Sequence, residues 1–187
     1  MILYFVTSNS NKVEEARRAL SEYGVYLEQK AGGKLEVQAD DVSDISRRAA
    51  EELCKVGENH VVVEDDGLYI KALNGFPGPY SEYVYRTLGL SGVLKLLEGV
   101  EDRAAYFKSA VSLCLDGRVY TFSGVVEGRI SEEPKGSAGF GFDPIFVPAG
   151  FAATFAELGA EVKARVSHRA RAFRALGEWI RNIKNRE

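Results

Sequence analysis

Residues 1–20, MILYFVTSNSNKVEEARRAL, change their periodicity halfway. Residues 2–6 are a continuous apolar run of strand length, whereas Val13, Ala16, Ala19, Leu20 and Tyr23 recur at helical spacing. A strand over 2–6 and a helix over 12–23, stopped by Gly24, are therefore predicted, joined by Thr7-Ser8-Asn9-Ser10-Asn11-Lys12. A strand passing through small polar residues into a helix presents backbone N–H groups and a positive dipole end, the usual means of holding a phosphate, and Lys12 adds a full charge. The same joint also suits plain capping by Asn9 or Ser10. With no glycine between Met1 and Gly24, it is neither a Walker A loop nor a dinucleotide fingerprint.

Outward from this joint, a strand-like stretch at 34–38 (KLEVQ) precedes a helix over 43–56, with Ser43 as N-cap and Gly57 as its stop. In HVVVEDDGLYI, two apolar runs are broken by three acids and a glycine. The proline- and glycine-containing GFPGPYS feeds helical spacing from 81 to 98. Two long strand-like runs meet at Asp116-Gly117, the pair favoured in type I′ hairpins because both positions need positive φ. A last helix starts at Ser167 and runs to about 184, with Phe173, Leu176, Ile180 and Ile183 on one face. Strands and helices thus mix, with a parallel start and an antiparallel hairpin, which predicts α/β or α+β with one mixed, twisted sheet.

At 187 residues the chain has the length of one domain, 1–187, with a substantial core. A formal net charge of -3 argues against broad electrostatic binding to nucleic acid, while a local basic pocket for a small anion remains compatible with it. No apolar run reaches the ~18 residues that span a bilayer, and the amino terminus leads directly into a core strand, so the cytoplasm is the expected compartment. Cys54, in a predicted helix, and Cys114, in a predicted strand, have no pairing motif and are expected to be buried reduced thiols.

Four groups of residues carry candidate chemistry. Beyond the opening joint there is Glu64-Asp65-Asp66-Gly67, which reads either as a charged surface turn or as hard oxygen ligands for Mg²⁺, with Glu36 as a further ligand if the fold brings it close. GSAGFGFDP surrounds Phe140 and Phe142 with glycines before Asp143, so an aromatic face can stack on a heterocycle; a loop with core aromatics has the same composition. Ser167 as N-cap puts His168 and Arg169 in a first helical turn, where the dipole disfavours cations, and Lys163 lies just upstream. No GxSxG elbow marks a serine nucleophile.

Taken in order, TSNSNK, EDDG, GFPGPYS, GFGFDPIF and SHR resemble the inosine triphosphate pyrophosphatase family, also called Ham1-like non-canonical purine nucleoside triphosphate pyrophosphatases, over essentially the whole chain. The resemblance implies an elongated, two-lobed α/β fold around a long mixed twisted β-sheet, with the active site in the cleft between lobes. It implies Mg²⁺-dependent hydrolysis of ITP, dITP and XTP to a monophosphate and pyrophosphate, by a homodimer. Thr7, Ser8, Asn9, Ser10, Asn11 and Lys12 would then hold the triphosphate, with Lys12 catalytic. Glu36 and Asp65 would bind the metal, and Asp65 would accept the proton of the attacking water. Phe140 would stack on the purine, Gly141, Phe142 and Asp143 would complete its pocket, and Lys163, His168 and Arg169 would contact the base or its surroundings. Asp66, a substrate contact by position, stands where many relatives have serine or threonine. The rival readings are a pyrophosphatase for other modified or canonical nucleotides and a nucleotide-binding module without turnover.

Overall fold

The computed structural model describes residues 1–185. Strand β1 (Ile2–Val6) leads into helix α1 (Ser10–Leu20), followed by a short 3-10 turn over Ser21–Tyr23 that Gly24 closes in the left-handed region. β2 (Tyr26–Lys30) comes next and pairs in parallel with β1. The stretch predicted as a strand over 34–38 is instead irregular, and the edge strand is this one. The difference lies in partners: Leu27 is buried against the core, whereas Leu35 is 47% exposed and pairs with no strand.

Helix α2 (Val42–Lys55) begins one residue before its predicted start, because the N-cap is Asp41, whose Oδ1 accepts from the Ser43 amide at 2.7 Å. Gly57 ends it with φ 87, as expected. β3 (Val61–Ile70) is a single ten-residue strand: the acids do not break it. β4 (Pro77–Gly78), α3 (Ser81–Thr87) and α4 (Gly89–Leu96) follow, the last two dividing what reads as one helical stretch. β5 (Ala104–Leu115) and β6 (Arg118–Ile130) form the long hairpin, with Asp116 at φ 50 and Gly117 at φ 73 as the predicted turn requires. β7 (Phe146–Pro148), α5 (Phe155–Val166) and α6 (His168–Lys184) complete the described chain. α5 has no counterpart in the sequence reading; its capping box of Thr154 and Glu157 is a local signal that could have found it.

The sheet order is β2-β1-β3-β5-β6-β7, with β4 added to β3. β1 pairs with β3 only at Val61 and Val62, and β4 only at Leu68 and Tyr69, while β5 accompanies β3 along its full length. On the β1 side, the edge of β3 from Val63 to Gly67 therefore has no strand partner. The sheet itself leaves a window there, facing the start of α1.

Two apolar cores share one face of the sheet. Val62, Val111, Leu113 and Leu115 pack under α1 and α6, and Leu68, Ile70, Ala105 and Phe107 pack with α3, α4 and Phe146. Between them, at the same strand levels, lie Glu64, Asp66 and Ser109. A polar belt thus divides the face into two lobes at the level of the window. On the opposite face α2 packs Ala49 and Ala50 on Val61 and Val63. Cys54 of α2 and Cys114 of β5 form a disulfide with Cα atoms 5.7 Å apart, which corrects the expectation of reduced thiols. Sixty residues separate them in sequence, so only the packing of α2 across the sheet reveals the pair.

Candidate active site

The opening joint is first of all a cap. Asn9 Oδ1 accepts from the amides of Asn11 (3.0 Å) and Lys12 (3.3 Å), and Thr7 Oγ1 accepts from Asn9 N at 3.1 Å. Ser8, Ser10 and Asn11 remain exposed around the first turn of α1. Capping fixes the direction of α1, and so aims Lys12 at the belt: its Nζ donates to Glu64 Oε2 at 2.9 Å and to Asp66 Oδ1. Burial works against the Lys12 charge, but Asp66 and Glu64 outweigh it and hold the lysine protonated far above its usual range.

From the other side, α6 supplies the cations that stand against its own dipole. Ser167 caps the helix by accepting from Ala170 N and donates its hydroxyl to Glu15. Arg169, fully buried, donates Nε to Glu64 Oε1 at 3.1 Å and Nη1 to Glu15 Oε2 at 2.8 Å. Its Nη2 lies 3.1 Å from Asp66 Oδ2 without the alignment of a hydrogen bond. His168 Nε2 is 3.4 Å from the same oxygen, and its ring stacks on Phe107 at 4.6 Å. What α6 loses to its dipole is thus offset by three carboxylates, the buried Glu15 and Glu64 and the partly buried Asp66. Burial alone would raise Asp66, yet Lys12 and Arg169 hold it well below the usual carboxylate range; likewise Arg169 and Lys163 outweigh burial and hold Glu15 at about 2.

Glu15 and Glu64 bind these cations: Glu15 is not among the residues expected at the site, and Glu64 is expected there only within the acidic run, as a surface turn or a Mg²⁺ ligand rather than as a partner of Lys12 and Arg169. Glu15 carried a signal: an acid within the apolar stripe of α1, beside Ala16 and Ala19, needs a buried partner. Glu64 was visible only as one of three consecutive acids.

The FGFD segment and α5 build a second compartment. Asp143 Oδ2 accepts from Phe140 N at 2.9 Å and from Lys163 Nζ at 2.7 Å, and a Cβ at Gly139 would strike that carboxylate. Lys163 Nζ lies 4.2 Å from the Phe140 ring centre, and Lys163, Phe140, Gly139, Glu15, Asn11 and Phe155 border a cavity of about 160 Å³. Of the residues expected around a base, Phe140 and Lys163 line this cavity. Phe142 does not: it is buried in the second core, its ring edge-to-face with the exposed Tyr85, so only its backbone and that of Gly141 lie beside Phe140. His168 and Arg169 lie at the belt, beside Asp66.

Asp65 projects to the other face of β3. There Lys34 Nζ donates to Asp65 Oδ2 at 2.8 Å and lies 3.6 Å from Glu36 Oε1. Burial pushes the Asp65 carboxyl above the ordinary aspartate range, and Lys34 offsets only part of this. Glu36 and Asp65 thus already share a cation, and hard carboxylate oxygens are the ligand type of Mg²⁺, which often takes only one or two from the protein. Among the described residues no group of three or more His, Cys, Asp or Glu is placed to hold a metal by itself.

A window in a mixed sheet, flanked by a lysine-bearing helix start, paired acids and a buried Arg-His pair beside an aromatic cavity, is the layout of an enzyme that works on a small phosphorylated heterocycle. Comparison narrows the class. The Ham1 family profile matches residues 3–179. The chain is 54% identical over 182 residues to the dITP/XTP pyrophosphatase of Pyrobaculum aerophilum, covering 97% of each, and 46% identical to that of Pyrococcus horikoshii, covering 98% of this chain and 100% of the relative. Among solved structures, the Ham1 protein of Staphylococcus aureus superposes with a TM-score of 0.83 at 25% identity, over 98% of this chain and 100% of its own. A nucleoside-triphosphatase / dITP/XTP pyrophosphatase from Mycobacterium abscessus gives 0.73 at 34%, over 94% and 98%. The chain belongs to the Ham1 family.

Proposed function

We propose that this protein hydrolyses non-canonical purine nucleoside triphosphates (dITP, XTP and ITP) to the monophosphate and pyrophosphate. The observation that carries the reading is the convergence of Lys12, His168 and Arg169 on β3, next to the Phe140–Lys163 cavity, in a chain 54% identical to a dITP/XTP pyrophosphatase. The triphosphate enters the window between α1 and β3, where Lys12 and the α6 cations neutralise its charge. Phe140 stacks on the base and fixes the α-phosphate against Asp65. Asp65, with its affinity for protons raised by burial, takes the proton of the attacking water; the water oxygen bonds to the α-phosphorus as the bridge to the β-phosphate breaks and pyrophosphate leaves. Glu36 and Asp65 are the residues that would hold Mg²⁺, whose charge would offset that of the phosphates.

Selectivity follows from donors. Hypoxanthine and xanthine carry a carbonyl at position 6 where adenine has an amino group, and Lys163 has only protons to offer. Facing it with an amino group leaves a buried donor unpaired, at a cost of roughly 1–3 kcal/mol.

The active form is proposed to be a homodimer, a reading supported by the family resemblance and by the exposure of Tyr80, Tyr83 and Leu88 around α3, residues a second copy would cover. Light scattering on the eluting protein should give twice the chain mass. The decisive assay is product analysis with ITP, XTP, dITP, ATP and GTP, with Mg²⁺ and with chelator. Mg²⁺-dependent pyrophosphate release favouring the first three supports the proposal; orthophosphate would move the cleaved bond, and no release would leave a binding module.

A further inference from the structure

Residues 31–39 form neither helix nor strand, and their side chains are arranged against expectation. Leu35 points outward, 47% exposed, while the Lys34 side chain is turned in and only 16% exposed. Lysine ordinarily buries its stem and leaves its ammonium in water, so an inward lysine beside an outward leucine needs a specific anion. That anion is Asp65, at 2.8 Å, with Glu36 at 3.6 Å. Among the described residues Lys34 is the one cation paired with Asp65: Lys12 and Arg169 pair with Asp66 and Glu64 on the other face, and Lys108 pairs with Asp41.

We propose that Lys34 is a resident counter-cation of the metal pair, holding Glu36 and Asp65 together in the metal-free protein and having to be displaced before a divalent cation can bind. This rests on the reading of Glu36 and Asp65 as metal ligands. An ammonium within hydrogen-bonding distance of a carboxylate occupies the direction from which a metal would approach its oxygen, so the two compete. Lys34 can withdraw because its segment is irregular, and Gly32 and Gly33 precede it. The free protein therefore binds divalent metal weakly, and the metal arrives with its nucleotide.

The test is Mn²⁺ binding to the full chain without nucleotide, read from the loss of the free-ion electron paramagnetic resonance signal. Lys34→Met, which keeps the stem and removes the charge, should bind Mn²⁺ roughly tenfold more tightly than wild type, and Lys34→Arg should stay near wild type. Adding Asp65→Asn or Glu36→Gln to Lys34→Met should abolish the gain. Equal or weaker Mn²⁺ binding by Lys34→Met overturns the role of Lys34 while leaving the carboxylate pair standing. If the gain survives both carboxylate substitutions, the metal reading itself fails, and the inference with it.

Discussion

Asp65 and Asp66 are consecutive on β3 and face opposite sides of the sheet, Asp65 toward Lys34 and Asp66 toward Lys12. One strand thus presents a carboxylate to Lys34 on one side of the window and another to Lys12 on the other, and the two differ in the direction of their proton affinity. Asp65 is pushed toward holding a proton, Asp66 toward giving it up.

Asp65→Asn should leave the fold intact and reduce pyrophosphate release from ITP to less than about a tenth of wild type. A thermal melt taken alongside the assay separates lost chemistry from lost structure.

Asp66→Ser should act in the opposite sense on anion binding. The carboxylate occupies the cations that a triphosphate needs, so its removal leaves Lys12 paired only with Glu64 and frees one side of Arg169. Calorimetric titration with inorganic tripolyphosphate should show affinity raised about tenfold, at the expense of a lower melting temperature.

Lys163→Met should chiefly erode selectivity. The ratio of kcat/KM for ITP over that for ATP is expected to fall about tenfold, the value of one mismatched buried donor. An unchanged ratio would place base recognition elsewhere.

Glu15 predicts a pH dependence of stability. Its carboxyl is held at about 2 against an ordinary 4.5, so it stabilises the fold above about pH 4.5, and that contribution is lost as pH falls toward 2. Glu15→Gln should cost about 3 kcal/mol near neutrality in urea unfolding, and the gap to wild type should close across that acid range.

Reduction of Cys54–Cys114 opens a loop with a sequence separation of 60 residues, for which chain entropy alone gives about 4 kcal/mol. The urea midpoint should drop with reductant and be unaffected by it in Cys54→Ser.

What the sequence displayed openly were the features set by near neighbours. Asp116-Gly117 specifies its turn because both residues must take positive φ, and Ser167 specifies the start of α6 through its own hydroxyl. What it concealed depends on distant partners. Three acids in a row look like a turn until Lys12 and Arg169, from helices 52 and 105 residues away, are brought onto them. β2 and the disulfide likewise depend on elements closing across the sheet. Lys34 had no local signature, since nothing around it indicates an acid 31 residues on.

The belt of Glu64, Asp66 and Ser109 also has a mechanical meaning. Side chains of the two apolar cores interlock within each lobe, whereas at the belt the lobes are joined by ion pairs, the His168–Phe107 stack and the continuous strands β3, β5 and β6. Flexing should concentrate there, as in a board scored across its middle, and a nucleotide lying across the groove would splint it.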